Sequence, residues 1–209
     1  MKRWLFVICI LVIQLRVDAV SDNDSLFMQN EFDGDILELV RQMKITPEPL
    51  TGVGAGGNSQ VAAGISFQAT ESRALQLVKK FRTRANKLGY QIYVQELGYG
   101  YQADRVAIFK SADKFDTLRL RQTFAYDHGL STEIIIQRLD SWDRQLGVEI
   151  IGAGYNWVWV HFDSLPENLG SFGKEILHFC PDVLLFKSGS IDQLVVDLKN
   201  DQGVYLFWK

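Results

Sequence analysis

The stretch Val148-Glu149-Ile150-Ile151-Gly152-Ala153-Gly154-Tyr155-Asn156-Trp157-Val158-Trp159-Val160-His161-Phe162 decides the class of fold. Val148 to Ile151 and Trp157 to Phe162 are short apolar, β-branched and aromatic runs, and Gly152-Ala153-Gly154 between them reads as a turn, so the pair is expected to be a β-hairpin. Downstream the pattern changes period repeatedly: a helix over about 166–179, a strand Val183 to Phe186, a helix over 190–199 and a strand Val204 to Trp208. Ser164 ahead of Pro166 and Glu167, and Ser190 three residues before Gln193, are capping-box signatures for the two helices. Strands separated by a single helix imply parallel neighbours, and hairpins imply antiparallel ones. The last strand, apolar and aromatic without charges, is expected to be buried in the sheet.

Upstream, Ser131 and Thr132 precede the stripe Ile135, Leu139, Trp142 and Leu146, which ends at Gly147. This predicts a helix of about four turns. Ala74, Val78, Phe81, Ala85 and Leu88 repeat at helical spacing between Thr70 and Gly89. Tyr90 to Leu97 and Arg105 to Phe109 flank Gly98-Tyr99-Gly100 and read as a second hairpin; Asp113 to Arg121 reads as a helix. The whole is an α+β fold, a mixed β-sheet with helices packed on it, in a single domain.

The N-terminal sixty residues look different. Met1-Lys2-Arg3, the apolar run Trp4 to Ile13 and the ending Val17-Asp18-Ala19 follow the order of a secretory signal peptide over residues 1–19, cleaved after Ala19. The run is about half of the ~20 residues that a spanning helix requires, so no stable membrane span is expected after cleavage. Residues 20–60 read as a polar leader, a short amphipathic helix carrying Ile36, Leu37, Leu39, Val40 and Met43, and a Gly-rich linker over 52–57, with the α+β domain running from 61 to 209. The localisation expected from these signals is exported, periplasmic or extracellular.

Losing residues 1–19 takes away Lys2, Arg3, Arg16 and Asp18, so the 22 basic and 25 acidic residues of the chain fall to 19 and 24. A mildly acidic domain without a Lys/Arg run has no footprint for nucleic acid. Cleavage also removes Cys9 and leaves Cys180 alone, so the fold must rest on packing and not on a disulfide.

Catalytic signatures are sparse. The glycine run Gly52-Val53-Gly54-Ala55-Gly56-Gly57-Asn58 lacks the Gly-Lys-Ser/Thr ending and the following helix of a phosphate loop. The histidines His128, His161 and His178 show no His-x-His or His-x-x-x-His spacing, so no metal site and no cofactor is expected, although ligands from distant elements can still converge in space. Cys180, His161, His128 and Asp182 are the candidates for nucleophilic or acid–base chemistry, with Asp127 and Asp163 as further carboxylates. Cys180 lies at a helix C-terminus before Pro181, where the dipole disfavours a thiolate, so a packing role is expected for it. Tyr99, Tyr101, Tyr155, Trp157 and Trp159 gather near turns and strand ends and are the candidate binding residues, since Tyr and Trp combine contact area with a polar handle.

Ile150-Ile151-Gly152-Ala153-Gly154-Tyr155-Asn156-Trp157-Val158, Leu165-Pro166, Phe179-Cys180-Pro181-Asp182-Val183 and Val204-Tyr205-Leu206-Phe207-Trp208, in that order and spacing, resemble a bacterial family catalogued as domain of unknown function 4253. The resemblance extends more weakly to Thr132–Trp142, Phe115–Thr123 and Ala63–Tyr93. It implies a shared α+β fold and brings no established activity. Asn156, where the family tends to have Asp, Leu184 to Lys187 in place of a shorter polar segment, and Lys209 in place of an acidic residue depart from its pattern. Two expectations follow from the residues. The leading one is an exported, non-catalytic protein that binds another macromolecule, such as an immunity-type protein neutralising a toxin or an envelope component. The alternative is a hydrolase assembled from Asp, His and Cys180 on several loops. A pocket where His128, His161 or Cys180 meets carboxylates favours the enzyme, and a flat aromatic patch favours binding.

Overall fold

A computed structural model describes residues 22–54, 57–185 and 189–209. The expected signal segment, Ala55 and Gly56 of the glycine run, and Phe186 at the end of one expected strand lie outside the described residues.

Among the described residues seven strands form one sheet in the order β1-β2-β4-β3-β5-β6-β7. They are β1 (Glu48–Val53), β2 (Ser59–Ala69), β3 (Tyr90–Glu96), β4 (Asp104–Lys110), β5 (Val148–Ala153), β6 (Trp157–Phe162) and β7 (Gly203–Phe207). The helices are α1 (Asp22–Gln29), α2 (Gly34–Met43), α3 (Glu71–Lys87), α4 (Asp116–Arg121), α5 (Thr132–Leu146), α6 (Leu169–Phe179) and α7 (Ile191–Asp201). The fold is α+β, a mixed sheet in a single domain, as its periodicities predict.

Alternate side chains of the strands enter two cores, one on each face. Ile65, Phe67, Ile92, Val106 and Ile108 pack against Ile36, Leu39, Val78 and Phe81 of α2 and α3. On the opposite face Tyr93, Ala107, Val158, Val160 and Leu206 pack against α4 to α7 through Leu118, Leu139, Trp142, Phe172 and Leu198. Every strand pair is antiparallel except β3 with β5, where a single registered pair, Val94 with Gly152, joins two antiparallel halves. The helices α3 and α5 end where expected, at Gly89 (φ 79°) and Gly147 (φ 68°).

Several expectations are corrected. The described residues on either side of the glycine run are joined to the sheet, and the expected short amphipathic helix is part of its packing. Helix α2, capped by Asp33 through the Ile36 amide, buries Ile36, Leu39, Val40 and Met43, and β1 pairs along β2. Pro49 and Gly52 disguise β1. Pro49 is tolerated because β1 is an edge strand, with a register shift between Pro49 and Thr51. Gly52 serves close packing, since a Cβ there would stand 2.7 Å from Leu120 Cδ1.

Downstream, Val183 to Leu185 are helical and not a strand: the Val183 amide donates to Cys180 O and the Leu185 amide to Asp182 O. A short apolar run reads alike for a strand and for a buried turn of helix, and here Val183 enters the core. The connection from β6 to β7 therefore carries two helices, which brings β7 back antiparallel to β6 at the edge of the sheet and not in its interior. Helix α6 starts later than expected, capped by Asn168 through the Ser171 amide, while Ser164 Oγ donates to Leu146 O. Ser190 does cap α7 through the Gln193 amide, but the Gln193 side chain turns to Asp197 and leaves the box half made. Gly152 and Ala153 belong to β5, so the turn begins at Gly154.

Candidate functional site

Helices α1 to α3 cover the β2–β4–β3 half of their face, and the β5–β6–β7 half forms one wall of a groove whose other wall is α3. The lining follows from periodicity. Trp157, Trp159 and His161 alternate out of the α5–α7 core onto this face, and each is registered with a β7 residue: Phe207, Tyr205 and Gly203 respectively. Glu149 of β5 is registered with His161, Ile151 shares its face by alternation, and a bulge between Ile150 and Gly152 brings Gly152 opposite Trp159. From α3, Glu71, Leu75 and Lys79 recur at i, i+4 and i+8 along the groove, and Arg82 continues the stripe. The cavity holds about 480 Å³.

One end of the groove is aromatic and acidic. The turn after β3 places Tyr99 (φ 51°) with its hydroxyl 3.4 Å from that of Tyr205, and Asp104 fixes this turn by accepting from the Gly98 amide at 2.8 Å. Burial first, and then Tyr99, push the Tyr205 phenol up, so it is a neutral hydroxyl at physiological pH. Trp159 is half-buried and lines the cavity, and Tyr205 also stacks on Trp157 with centroids 5.5 Å apart. Asp197 and Asp201 of α7 stand at the rim with Glu71.

The other end is ionic. Buried Arg82 is paired with Glu149, and its pKa is lowered by burial, with Asp163 opposing. One ligand-type atom from each of Glu149, His161 and Asp163 lies within 4.8 Å of the others. His161 Nδ1 is buried without a hydrogen-bond partner. Burial, then Arg82, lower the His161 pKa, so the ring is neutral at pH 7.

The remaining candidates sit elsewhere. Cys180 caps α6 at its C-terminus, fully buried, with Sγ donating to Phe207 O at 3.1 Å, and burial pushes the thiol up to about 12. Such a thiol is protonated at neutral pH, which speaks against a nucleophile. Asp182 accepts from the Lys209 amide at 2.9 Å and lies 3.1 Å from His128 Nε2. Asn156 ties down the same region by donating from Nδ2 to Trp208 O and accepting from the Trp208 amide. The Gly-Tyr-Asn-Trp, Cys-Pro-Asp and Tyr-Leu-Phe-Trp stretches thus meet in a lock on the end of β7. His178 is exposed at the end of α6.

Of the five aromatic candidates, Tyr99 and Trp159 line the groove and Trp157 is buried beneath it. Tyr101 is 93% exposed beside Tyr99, while Tyr155 packs edge-on against Phe124 by a separate shallow depression with Tyr126. Sequence reasoning missed Tyr205, Glu149, Lys79 and Arg82. The α3 stripe Glu71, Leu75, Lys79, Arg82 was a readable signal, whereas the cross-strand pairing of Glu149 with His161 needed the register.

The arrangement is that of a small α+β domain with a helix-walled groove on one half of a mixed sheet. A family model described as Domain of unknown function (DUF4253) matches residues 105–209, half of the chain, and the protein belongs to that family. No curated protein and no solved structure matches it. The matched residues include the β5–β7 wall with Glu149, His161 and Asp163, whereas α3 and Tyr99 precede them.

Proposed function

We propose that this is an exported binding domain whose acidic, aromatic groove captures a basic segment of another protein, in the manner of an immunity-type protein that neutralises a toxin. The observation that carries this reading is the composition of the groove: Trp159, Tyr205 and Tyr99 form its floor, and Glu71, Asp197 and Asp201 stand around it. Aromatic faces attract Lys and Arg side chains, and carboxylates at a rim steer cationic partners. The acidic balance of the chain acts in the same sense, and the residue order of 1–19 supports export.

Titrating the protein with a Lys/Arg-rich peptide, while following tryptophan fluorescence, tests the groove. Expected are salt-sensitive binding, loss of the optical change in Trp159→Ala and about tenfold weaker binding in Asp201→Asn, a single-charge effect of ~1.4 kcal/mol. An acidic peptide of equal length binding as tightly overturns the reading. Recovery of envelope protein beginning at Val20 tests export, and intact Met1 in a cytosolic fraction refutes that part.

One observation favours a hydrolase as the second reading: His161, neutral and lining the cavity, has the carboxylates of Glu149 and Asp163 beside it, so a base backed by two carboxylates stands in the pocket wall. Cys180 has no part in it. Turnover of ester or phosphoester substrates that vanishes in His161→Ala selects this reading over the first.

A further inference from the structure

We propose that Glu149, His161 and Asp163 form a binding site for one divalent transition-metal ion, of which Zn2+ is the best match, beside the groove that His161 lines. The three residues come from two adjacent strands and the turn after them, and their donor atoms already lie within 4.8 Å of one another. Each is placed by something other than the cluster itself. Glu149 and His161 are held opposite by the β5–β6 register. The Asp163 amide donates to Gly147 O, and its carboxylate occupies the space that the missing Cβ of Gly147 leaves: a Cβ there would stand 2.3 Å from Oδ2.

A second, independent observation points to a ligand. His161 Nδ1 is buried and makes no hydrogen bond, and a buried nitrogen without a partner is costly unless something fills that role. Arg82 donates to Glu149 Oε2, leaving Oε1 for a metal and holding the carboxylate as outer-shell partners do. Two carboxylates outweigh that one guanidinium inside the cluster, and Lys79 is exposed, so its charge is largely screened. One imidazole with two carboxylates suits Zn2+ better than Ca2+ or Mg2+, which prefer all-oxygen shells. Three protein ligands leave the fourth tetrahedral position vacant, as in sites that bind water or a partner's side chain.

The test is calorimetric titration of Zn2+ into the chelator-treated, untagged protein. Expected is one ion per chain, with affinity reduced ~10-fold or more in His161→Ala and in Asp163→Asn. Asp163 is exposed, so its variant folds even if the histidine variant does not. His128→Ala, at the separate His128–Asp182 pair, should bind like wild type. The Co2+-loaded protein should show no thiolate charge-transfer band, because Cys180 is remote and buried. Failure of the wild type to take up Zn2+, affinity unchanged in Asp163→Asn, or loss of the site in His128→Ala overturns the proposal.

Discussion

Trp157 lies directly across Gly154: a Cβ built on Gly154 would stand 2.0 Å from the indole Nε1, and one on Gly152 would stand 2.9 Å from its Cζ3. The two glycines that look like a turn signal are therefore a slot for an indole ring, and that ring in turn supports Tyr205 on the floor of the groove. Gly154→Ala must displace Trp157 and should destabilise the fold by ~1–3 kcal/mol, the usual range for overpacking. Thermal melting read by tryptophan fluorescence measures it; an unchanged midpoint would show that the ring has room to move.

Cys180 should behave as a buried core residue. Cys180→Ala removes one sulfur and the bond to Phe207 O, at about 1 kcal/mol, whereas Cys180→Arg forces an unpaired charge into a fully buried position and costs several times more. Native protein at neutral pH should resist a thiol reagent until it unfolds. Rapid labelling combined with an undisturbed melt in Cys180→Ala would revive it as a nucleophile.

Asp182 should couple stability to acid. The Lys209 amide, and after it His128, hold its carboxyl below the usual value. A depressed folded pKa means that the unfolded chain binds protons first, so this stabilisation is intact above about pH 4 and fades as pH falls through the folded value. Asp182→Asn should be less stable than wild type at pH 7, with the gap closing toward pH 2. Denaturant melts at several pH values give the comparison, and a gap of constant size contradicts the assignment.

Removing residues 203–209 should leave an aggregating chain. Strand β7 covers β6 along Trp157 to His161, and without it β6 becomes a new, apolar edge. Size-exclusion chromatography reports the outcome. A monomeric truncated chain with an unaltered melting transition would mean that β7 contributes little.

The elements that sequence periodicity reveals are those whose stabilising contacts repeat along one element. The stripe Ile135, Leu139, Trp142 and the alternation through Val158, Val160 and Phe162 each report a single buried face. Strand β1 was hidden because Pro49 and Gly52 are permitted by its edge position and by the approach of Leu120, neither of which is local. Val183 to Leu185 were misread because apolar content alone does not choose between strand and helix. Three candidates were legible as residue types, Trp159, His161 and Tyr99. What joins them to Glu149, Tyr205, Lys79 and Arg82 is a strand register and a helix that ends about sixty residues before β5, both set by tertiary structure.

The single registered pair between Val94 and Gly152 has a consequence for the order of folding. Four strands on one side and three on the other each complete their hydrogen bonding within their own neighbours, whereas the seam closes only after a long intervening segment has been arranged. Long closures cost chain entropy before any contact rewards them, so the seam should form last and open first. The two halves are then candidate cooperative units in native-state hydrogen exchange, with the amides at Val94 and Gly152 exchanging through a subglobal opening of lower free energy than those within either half. The groove has α3 and Tyr99 on one unit and Trp159, His161 and Tyr205 on the other, so anything held between them would act as a clasp across the weakest line of the sheet.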